Sequence, residues 1–169
     1  PRSIIEASDG SIWVASGGGL ARFDGTEWTV ETPAGGHPHS SLAASPDGSV
    51  WTHSDNRTGR VWRWDSSGWT KRDGPEGLPD EHWSADLVTI GERIYLGTPE
   101  GTYEWVGDGW EQAWEVAPAM GDYYGFYSRR MLATGDDELW VADAQGVSQF
   151  QGGAWTDESD WKSEIGFWP

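Results

Sequence analysis

The residues best equipped for chemistry in this 169-residue chain are concentrated in three segments, 31–40, 72–85 and 115–129. These segments hold three of the four His and three of the five Tyr, although most of the chain has sequence typical of β-strands and tight turns. Loops carried by a rigid scaffold are the usual place for binding residues. The predicted ligand-binding set, which includes one residue just after the third segment, is His37, His39, His82, Trp83, Tyr123, Tyr124, Tyr127, Arg129 and Arg130.

Side chains of these types are suited to the recognition of a polar ligand. Trp83 and the Tyr residues offer flat surfaces on which a sugar ring can stack, and Arg129 and Arg130 can donate charge-assisted hydrogen bonds to acidic groups. The prediction is a binding site for a polar small molecule or glycan, or for a protein partner. The alternative is that the Tyr cluster only packs a long loop onto the scaffold.

The three segments do not specify the geometry of a metal site or of a catalytic site. His37, His39 and His82 could together ligate zinc or copper, but a His-Pro-His backbone is restricted and no carboxylate partner is set by spacing. An enzyme of the polysaccharide lyase or hydrolase type would need an acid–base pair such as His82 with Tyr124, beside Arg129. No motif sets that geometry. The sequence therefore predicts no metal site, no cofactor and no catalytic residue, and it leaves enzymatic activity open. A purely structural subunit of a larger assembly is a further alternative.

The three segments separate four copies of one repeat. An aromatic residue that closes an apolar pair recurs at intervals of 38, 44 and 45 residues, at Trp13, Trp51, Tyr95 and Trp140. Two further aromatic residues follow each of them in near-constant register, at Phe23, Trp64, Trp105 and Phe150 and at Trp28, Trp69, Trp110 and Trp155. Landmarks in register across four copies predict tandem structural units.

Each copy predicts four short antiparallel strands. Turn signals such as Asp9-Gly10 separate the strands, because Gly permits the positive φ that tight hairpins need. The second strand reads apolar on both faces, as in Ile-Trp-Val-Ala, so neighbours must cover both sides of the sheet. The predicted fold is an all-β propeller of four four-stranded blades, at about 3–31, 41–71, 86–114 and 130–156, with a tail at 157–169. The Trp and Tyr landmarks are predicted to pack between blades.

The repeat resembles the two-component-regulator propeller repeat of bacterial periplasmic and extracellular sensor proteins. The elements that carry the resemblance are Asp9-Gly10, Ile12-Trp13-Val14, Gly19-Leu20 and Arg22-Phe23-Asp24, with matching elements in the second and fourth copies. The third copy departs from the pattern, with Tyr95 in place of Trp. The resemblance implies a propeller blade and a periplasmic or extracellular location. It implies no particular function, because repeats of this kind occur on many proteins. The family's blade motif carries no catalytic residue, so the resemblance implies none here.

Charge and residue usage narrow the partners. Asp and Glu number 28 against 11 Lys and Arg, and the formal net charge of −17 disfavours nucleic acids and anionic membranes as partners. Cys is absent, which excludes disulfides and thiolate metal sites. No apolar run is long enough for a membrane span, so no membrane insertion is expected.

The sequence leaves open whether four blades make a whole ring. The chain begins at an inner strand and ends after an outer one, so neither terminus supplies a strand to complete a blade at the other. Three arrangements remain: a closed four-bladed ring, a segment of a larger ring, and a half-ring that self-associates with another chain.

Overall fold

The computed structural model describes residues 1–33, 39–54, 60–72, 78, 86–98, 100–114, 130–142 and 146–159. Within these ranges, sixteen β-strands form four antiparallel sheets of four strands each. The strands follow chain order in every sheet, so each sheet is one copy of the repeat. The four sheets are arranged as a four-bladed β-propeller, which confirms the predicted fold class.

Each blade runs from an inner strand to an outer strand at the periphery, and the inner strands of blades 1 to 4 contact one another in succession. Blade 1 consists of β1 (Ser3–Glu6), β2 (Ile12–Ser16), β3 (Gly19–Phe23) and β4 (Trp28–Val30). Blade 2 consists of β5 (His39–Ala44), β6 (Val50–Ser54), β7 (Val61–Asp65) and β8 (Gly68–Lys71). Blade 3 consists of β9 (Asp86–Ile90), β10 (Arg93–Thr98), β11 (Gly101–Val106) and β12 (Gly109–Trp114). Blade 4 consists of β13 (Arg130–Gly135), β14 (Glu138–Ala142), β15 (Val147–Gln151) and β16 (Ala154–Asp157).

The hairpin between the first two strands of a blade is held by a short relay of side chains. In blade 1 the Asp9 carboxylate accepts hydrogen bonds from the Ser11 amide at 2.9 Å and the Ser11 hydroxyl at 2.6 Å, while Gly10 adopts φ +80°. The Trp13 indole N–H then donates to the Ser11 hydroxyl oxygen at 3.0 Å. The Asp residue of this repeat is therefore a turn former, as the sequence predicts, and its turn also orients the landmark Trp.

Blade 2 repeats the same relay residue for residue. Asp47 accepts from the amide and hydroxyl of Ser49 at 2.9 and 2.6 Å, and the Trp51 indole N–H donates to Ser49 at 3.1 Å. Blade 4 supplies the indole acceptor with a different residue, because the Trp140 indole N–H donates directly to Glu138 at 3.0 Å. An indole N–H that is buried without an acceptor would be costly, so the relay lets blades 1 and 2 bury Trp13 and Trp51.

Each blade has a face turned toward the preceding blade, here called the leading face, and a face turned toward the following blade, here called the trailing face. Three hydrophobic cores lie where a trailing face meets the next leading face. Between blades 1 and 2, Trp13 packs edge-on against Trp64 with ring centroids 4.9 Å apart. Between blades 2 and 3, Trp51 packs against Trp105 at 5.3 Å. The third core, between blades 3 and 4, is formed by Ile90, Tyr95, Leu139, Val141 and Phe150, with Trp114 and Trp155 packed against it.

Landmark Trp residues in the three interblade cores confirm the predicted packing role, whereas Trp28 and the half-buried Trp140, which belongs to none of these cores, do not. Trp13, Trp51 and Trp110 are 0–2% exposed. Trp28 occupies the same repeat position as Trp110, yet it is 58% exposed, so its predicted place between blades is wrong. The physical reason is that Trp28 lies on the leading face of blade 1, which has no preceding blade among the described residues to cover it.

Candidate functional site

The three chemistry-bearing segments join the propeller at one end, here called the loop end. They lead into the inner strands β5, β9 and β13, which begin at His39, Asp86 and Arg130. These strands are successive neighbours at the centre of the propeller. The opposite end, where Asp9 and Asp47 form their turns, is here called the hairpin end.

A single buried carboxylate joins three blades at the loop end. Asp86, 7% exposed at the start of blade 3, accepts hydrogen bonds from the Ser41 hydroxyl of blade 2 and from the Leu87 amide at 3.0 Å. Its second oxygen accepts from the Met131 amide of blade 4 at 2.9 Å. Three donors satisfy the carboxylate, so its burial is compensated. Asp86 thereby fixes the relative positions of β5, β9 and β13.

The same position of the repeat is polar in every blade. This position directly precedes the first apolar residue on the leading face of each inner strand. Strand pairing places Ser3, Ser41, Asp86 and Arg130 at this position. We call these four residues the inner polar arc. Ser41 and Asp86 are buried, whereas Arg130 is exposed. The inner polar arc therefore includes both a buried hydrogen-bonded pair and a solvent-exposed cation.

His39 lies within this polar region and not on an exposed loop. It belongs to β5, is 1% exposed, and its Nδ1 lies 3.1 Å from the Thr52 hydroxyl oxygen. The Thr52 hydroxyl donates its own proton to the Ser41 carbonyl at 2.9 Å. His39 Nδ1 must therefore be the donor in its contact with Thr52, which leaves the ring lone pair on Nε2 when the imidazole is neutral. His53 and Ser54 on β6 are buried beside it.

Two of the nine predicted binding residues fall within the described residues, and both lie at the loop end. They are His39, in the buried polar region, and Arg130, at its exposed margin. The other seven lie outside the described residues and stay predictions: His37, His82, Trp83, Tyr123, Tyr124, Tyr127 and Arg129.

Sequence reasoning missed Ser41, Thr52 and Asp86. The available signal was the polar residue that directly precedes Ile4, Leu42, Leu87 and Met131 in the four copies. The aromatic landmarks do not reveal it, because they align the second, third and fourth strands of each copy and not the first. The contacts of Asp86 join residues 45 positions apart, so spacing within one copy gives no hint of them.

A second polar concavity lies at the hairpin end, between blades 2 and 3. It has a volume of about 300 Å³, and its lining includes Asp47, Arg63, Arg72 and Trp105. Arg63 donates to Asp47 at 3.0 Å and to Asp65 at 2.8 Å. The Arg72 guanidinium lies 5.4 Å from the centre of the Trp105 ring. Both cations are engaged within the protein, so this concavity is a weaker candidate for a ligand site than the loop end.

Two carboxylates of the hairpin end, Asp9 and Asp47, have lowered pKa values. Burial raises the pKa of Asp47, but hydrogen bonds from Ser49 and Arg63 outweigh it and lower the pKa to about 2. The Ser11 hydroxyl and amide lower the pKa of Asp9 in the same way, with the nearby Arg22 adding to the effect. These carboxylates are therefore ionised structural acceptors, which is the opposite of what a general acid requires.

The described residues contain neither a cluster of metal ligands nor a membrane-spanning helix. No group of three or more His, Cys, Asp or Glu among them is arranged to hold a metal ion. Within the same ranges, no helix combines the length and apolar character needed to cross a membrane.

Comparison with known proteins gives structural likeness without a family. No family model and no curated protein matches the chain. Virginiamycin B lyase from Staphylococcus aureus is 15% identical, with a TM-score of 0.67 over 91% of this chain and 53% of its own. The extracellular domain of a B. thetaiotaomicron protein, described as a hybrid two-component system, is 12% identical, with a TM-score of 0.63 over 99% of this chain and 23% of its own. YCF48, solved with D1 peptide bound, is 16% identical, with a TM-score of 0.60 over 90% of this chain and 50% of its own.

At these identities the likeness shows the fold alone. The chain spans about half of the lyase and of YCF48, and less than a quarter of the two-component-system domain. The structural neighbours include extracellular domains of two-component systems, and no family model matches the repeat.

Proposed function

We propose that this chain is a non-enzymatic binding module that presents the segments between its blades, at the loop end, to a polar ligand or a protein partner. The observation that carries the proposal is the Asp86 contact, which ties the inner strands of three blades together where those segments join them. Segments held on a fixed base lose less conformational entropy when they bind, so a rigid base favours recognition.

The loop end also has the chemistry of a polar binding surface. His39 lies in a hydrogen-bonded polar region and Arg130 is exposed beside it. Trp83, Tyr124 and Arg129 belong to the segments that join this end, and they would add stacking surfaces and a second cation. A ligand that combines a flat polar face with an acidic group fits this set, and an acidic oligosaccharide has both features.

Two features of similar proteins support the kind of partner and the location. YCF48 is solved with a peptide bound, which supports a protein partner for this chain as the alternative to a glycan. Structural neighbours that are extracellular domains support a periplasmic or extracellular location. The likeness to virginiamycin B lyase is one of fold, and no motif in the sequence sets the geometry of an acid–base pair, so we do not favour an enzyme.

A glycan array that includes neutral and acidic oligosaccharides, read with labelled protein, tests the proposal. We expect selective binding that Trp83→Ala and Tyr124→Ala each reduce at least tenfold. Tyr124→Phe, which keeps the ring, should retain most of the affinity if stacking is the contact. Unchanged thermal unfolding of all three variants is the control for folding. Full binding by both Ala variants would contradict a binding site in these segments.

The enzyme alternative gives a different signal. A lyase acting on a polyuronate panel produces an unsaturated product that absorbs in the ultraviolet, whereas a binding module produces none. Sustained turnover of any member of the panel would replace the proposal with the enzyme.

A further inference from the structure

The polar concavity between blades 2 and 3, here called the hairpin-end concavity, differs from the equivalent places in the other two interblade contacts. Its lining includes Asp47, Arg63, Arg72, Glu92 and Trp105. Each contact has an aromatic ring of the following blade at one repeat position, which is occupied by Trp64, Trp105 and Phe150. Arg22 lies 5.0 Å from the Trp64 ring centre, whereas Trp114 packs on Phe150 with ring centroids 4.4 Å apart. Trp105 is instead covered by Arg72, at 5.4 Å.

Arg72 is held by the face of its guanidinium group and not by its edge. Contact with an aromatic ring uses the flat face of the group, so the N–H donors, which lie in its plane, can still reach an acceptor. Arg22 uses such a donor in its bond to Asp9 at 2.8 Å. The Arg72 guanidinium makes no hydrogen bond or ion pair with any described residue, and its Nε is buried without an acceptor among them. Because a buried donor without an acceptor is costly, Arg72 is suited to an acceptor on a ligand.

The carboxylates closest to Arg72 in charge and position already have other partners. Asp47 accepts from Arg63 at 3.0 Å, and Asp65 accepts from Arg63 at 2.8 Å and from the amide and hydroxyl of Ser67. The hydrogen bonds from Ser67 are the main cause of the lowered pKa of Asp65, and Arg72 adds only a weaker attraction through space. Asp47 and Arg63 therefore neutralise each other within the lining, and Arg72 remains as the cation that a ligand can engage.

Glu92 supplies a matching negative charge to the hairpin-end concavity. It lies in the tight turn between β9 and β10, is exposed, and makes no hydrogen bond or ion pair with any described residue. The turn carboxylates of blades 1 and 2 accept from Ser11 and Ser49, which in turn orient a Trp. Blade 3 has Tyr95 at that landmark and no such relay, so Glu92 has no corresponding structural role.

The segment that joins blades 2 and 3 is attached at the other end of the propeller. The Arg72 amide donates to the Val61 carbonyl at 2.8 Å, where β7 begins at the loop end, and β9 begins there at Asp86. Both attachment points of segment 73–85 therefore lie away from the turns at Asp47 and Glu92 that border the hairpin-end concavity. The side chain of Arg72 reaches from the loop end toward Trp105.

We propose that the hairpin-end concavity is a second binding site, separate from the loop end, which takes an α-amino acid with its carboxylate on Arg72 and its ammonium group on Glu92. One cation and one anion that are not paired within the described residues match the two charges of such a zwitterion. The volume of about 300 Å³ lies at the lower end of the range for ligand pockets and suits a small molecule. The buried side chains of Trp51 and Ile94 form an apolar part of the lining.

Titration calorimetry with the common L-amino acids as probes measures this binding directly. We expect at least one of them to bind, and the tightest is then compared with its N-acetyl derivative, which lacks the ammonium charge, and with its amide, which lacks the carboxylate. Each derivative should bind at least tenfold more weakly, because one of the two charge-assisted contacts is lost. Binding by none of the amino acids, or undiminished binding of either derivative, would overturn the proposal.

Two variants test which side chain recognises which charge. Glu92→Gln should bind the amino acid at least tenfold more weakly and no better than the N-acetyl derivative, whereas Arg72→Gln should bind it no better than the amide. Glu111→Gln, which changes an exposed carboxylate of β12 in the same blade, is the matched control and should bind like the unmodified chain.

Folding of the variants is checked by thermal unfolding. Glu92 is exposed, so Glu92→Gln should fold normally and carries the test even if Arg72→Gln is unstable. Unchanged affinity in Glu92→Gln, or an equal loss in Glu111→Gln, would overturn the site.

Discussion

The hairpin end and the loop end of the propeller are built in different ways. At the hairpin end, blades 1 and 2 use the same Asp–Ser–Trp relay, made within five consecutive residues. At the loop end, the equivalent position changes from Ser41 to Asp86 to Arg130, and Asp86 bonds to residues 45 positions away on either side. The repeated end is built from contacts within a blade, whereas the varied end joins the blades to one another and differs from blade to blade.

The largest expected effect comes from removing the contact that joins the blades. Asp86→Ala should lower the free energy of unfolding by about 3 kcal/mol, because the Ser41 hydroxyl and the Met131 amide lose their acceptor and the Leu87 amide keeps only its bond to the Ser41 oxygen. Chemical denaturation with urea, monitored by Trp fluorescence, measures this loss. Asp108→Ala, an exposed carboxylate in a hairpin, is the control and should change stability by less than about 0.5 kcal/mol. Equal effects of the two substitutions would remove the distinction between the two ends.

At the hairpin end we expect a smaller loss of stability, of similar size in blades 1 and 2. Ser49→Ala should cost about 1–2 kcal/mol, because the Trp51 indole N–H loses its buried acceptor. Ser11→Ala should cost a similar amount, since Trp13 depends on it in the same way. Ser67 also bonds a turn carboxylate, that of Asp65, but it is exposed, so Ser67→Ala should be nearly neutral. Unequal losses for Ser11 and Ser49, measured by the same denaturation, would show that the relay is not equivalent in the two blades.

The fold could be predicted from sequence because its signals are local. Asp9, Gly10 and Trp13 lie within five residues, and each copy repeats or closely imitates their spacing. The exposure of Trp28 could not be predicted in this way, because a repeat position indicates which face a residue occupies and not whether a neighbour covers that face. The role of Asp86 was also hidden, because its partners come from two other copies. The sequence places His39 in a segment between blades, but in the structure it begins the inner strand of blade 2.

The pH dependence of stability offers a finer test of the hairpin end. The pKa of Asp47 is lowered from 3.8 to about 2 in the folded protein, so its ionised form contributes stability that is complete above pH 4 and is lost as the pH falls toward 2. Asp47→Asn should reduce the slope of stability against pH in that window and leave the slope above pH 5 unchanged. Urea denaturation at a series of pH values measures both slopes. An unchanged slope between pH 4 and 2 would show that the carboxylate gains nothing from Ser49 and Arg63.

The central claim, that recognition belongs to the loop end, is tested most directly by one pair of arginine variants. Arg130 is exposed at the loop end, and Arg93 is exposed at the hairpin end, where its side chain lies 3.5 Å from Glu104. Both variants, Arg130→Ala and Arg93→Ala, should fold with nearly unchanged stability, because exposed charges contribute little. Titration calorimetry with the acidic oligosaccharide selected on the array should show at least a tenfold loss of affinity for Arg130→Ala and none for Arg93→Ala. Equal affinities for the two variants, or a loss confined to Arg93→Ala, would contradict the assignment of binding to the loop end.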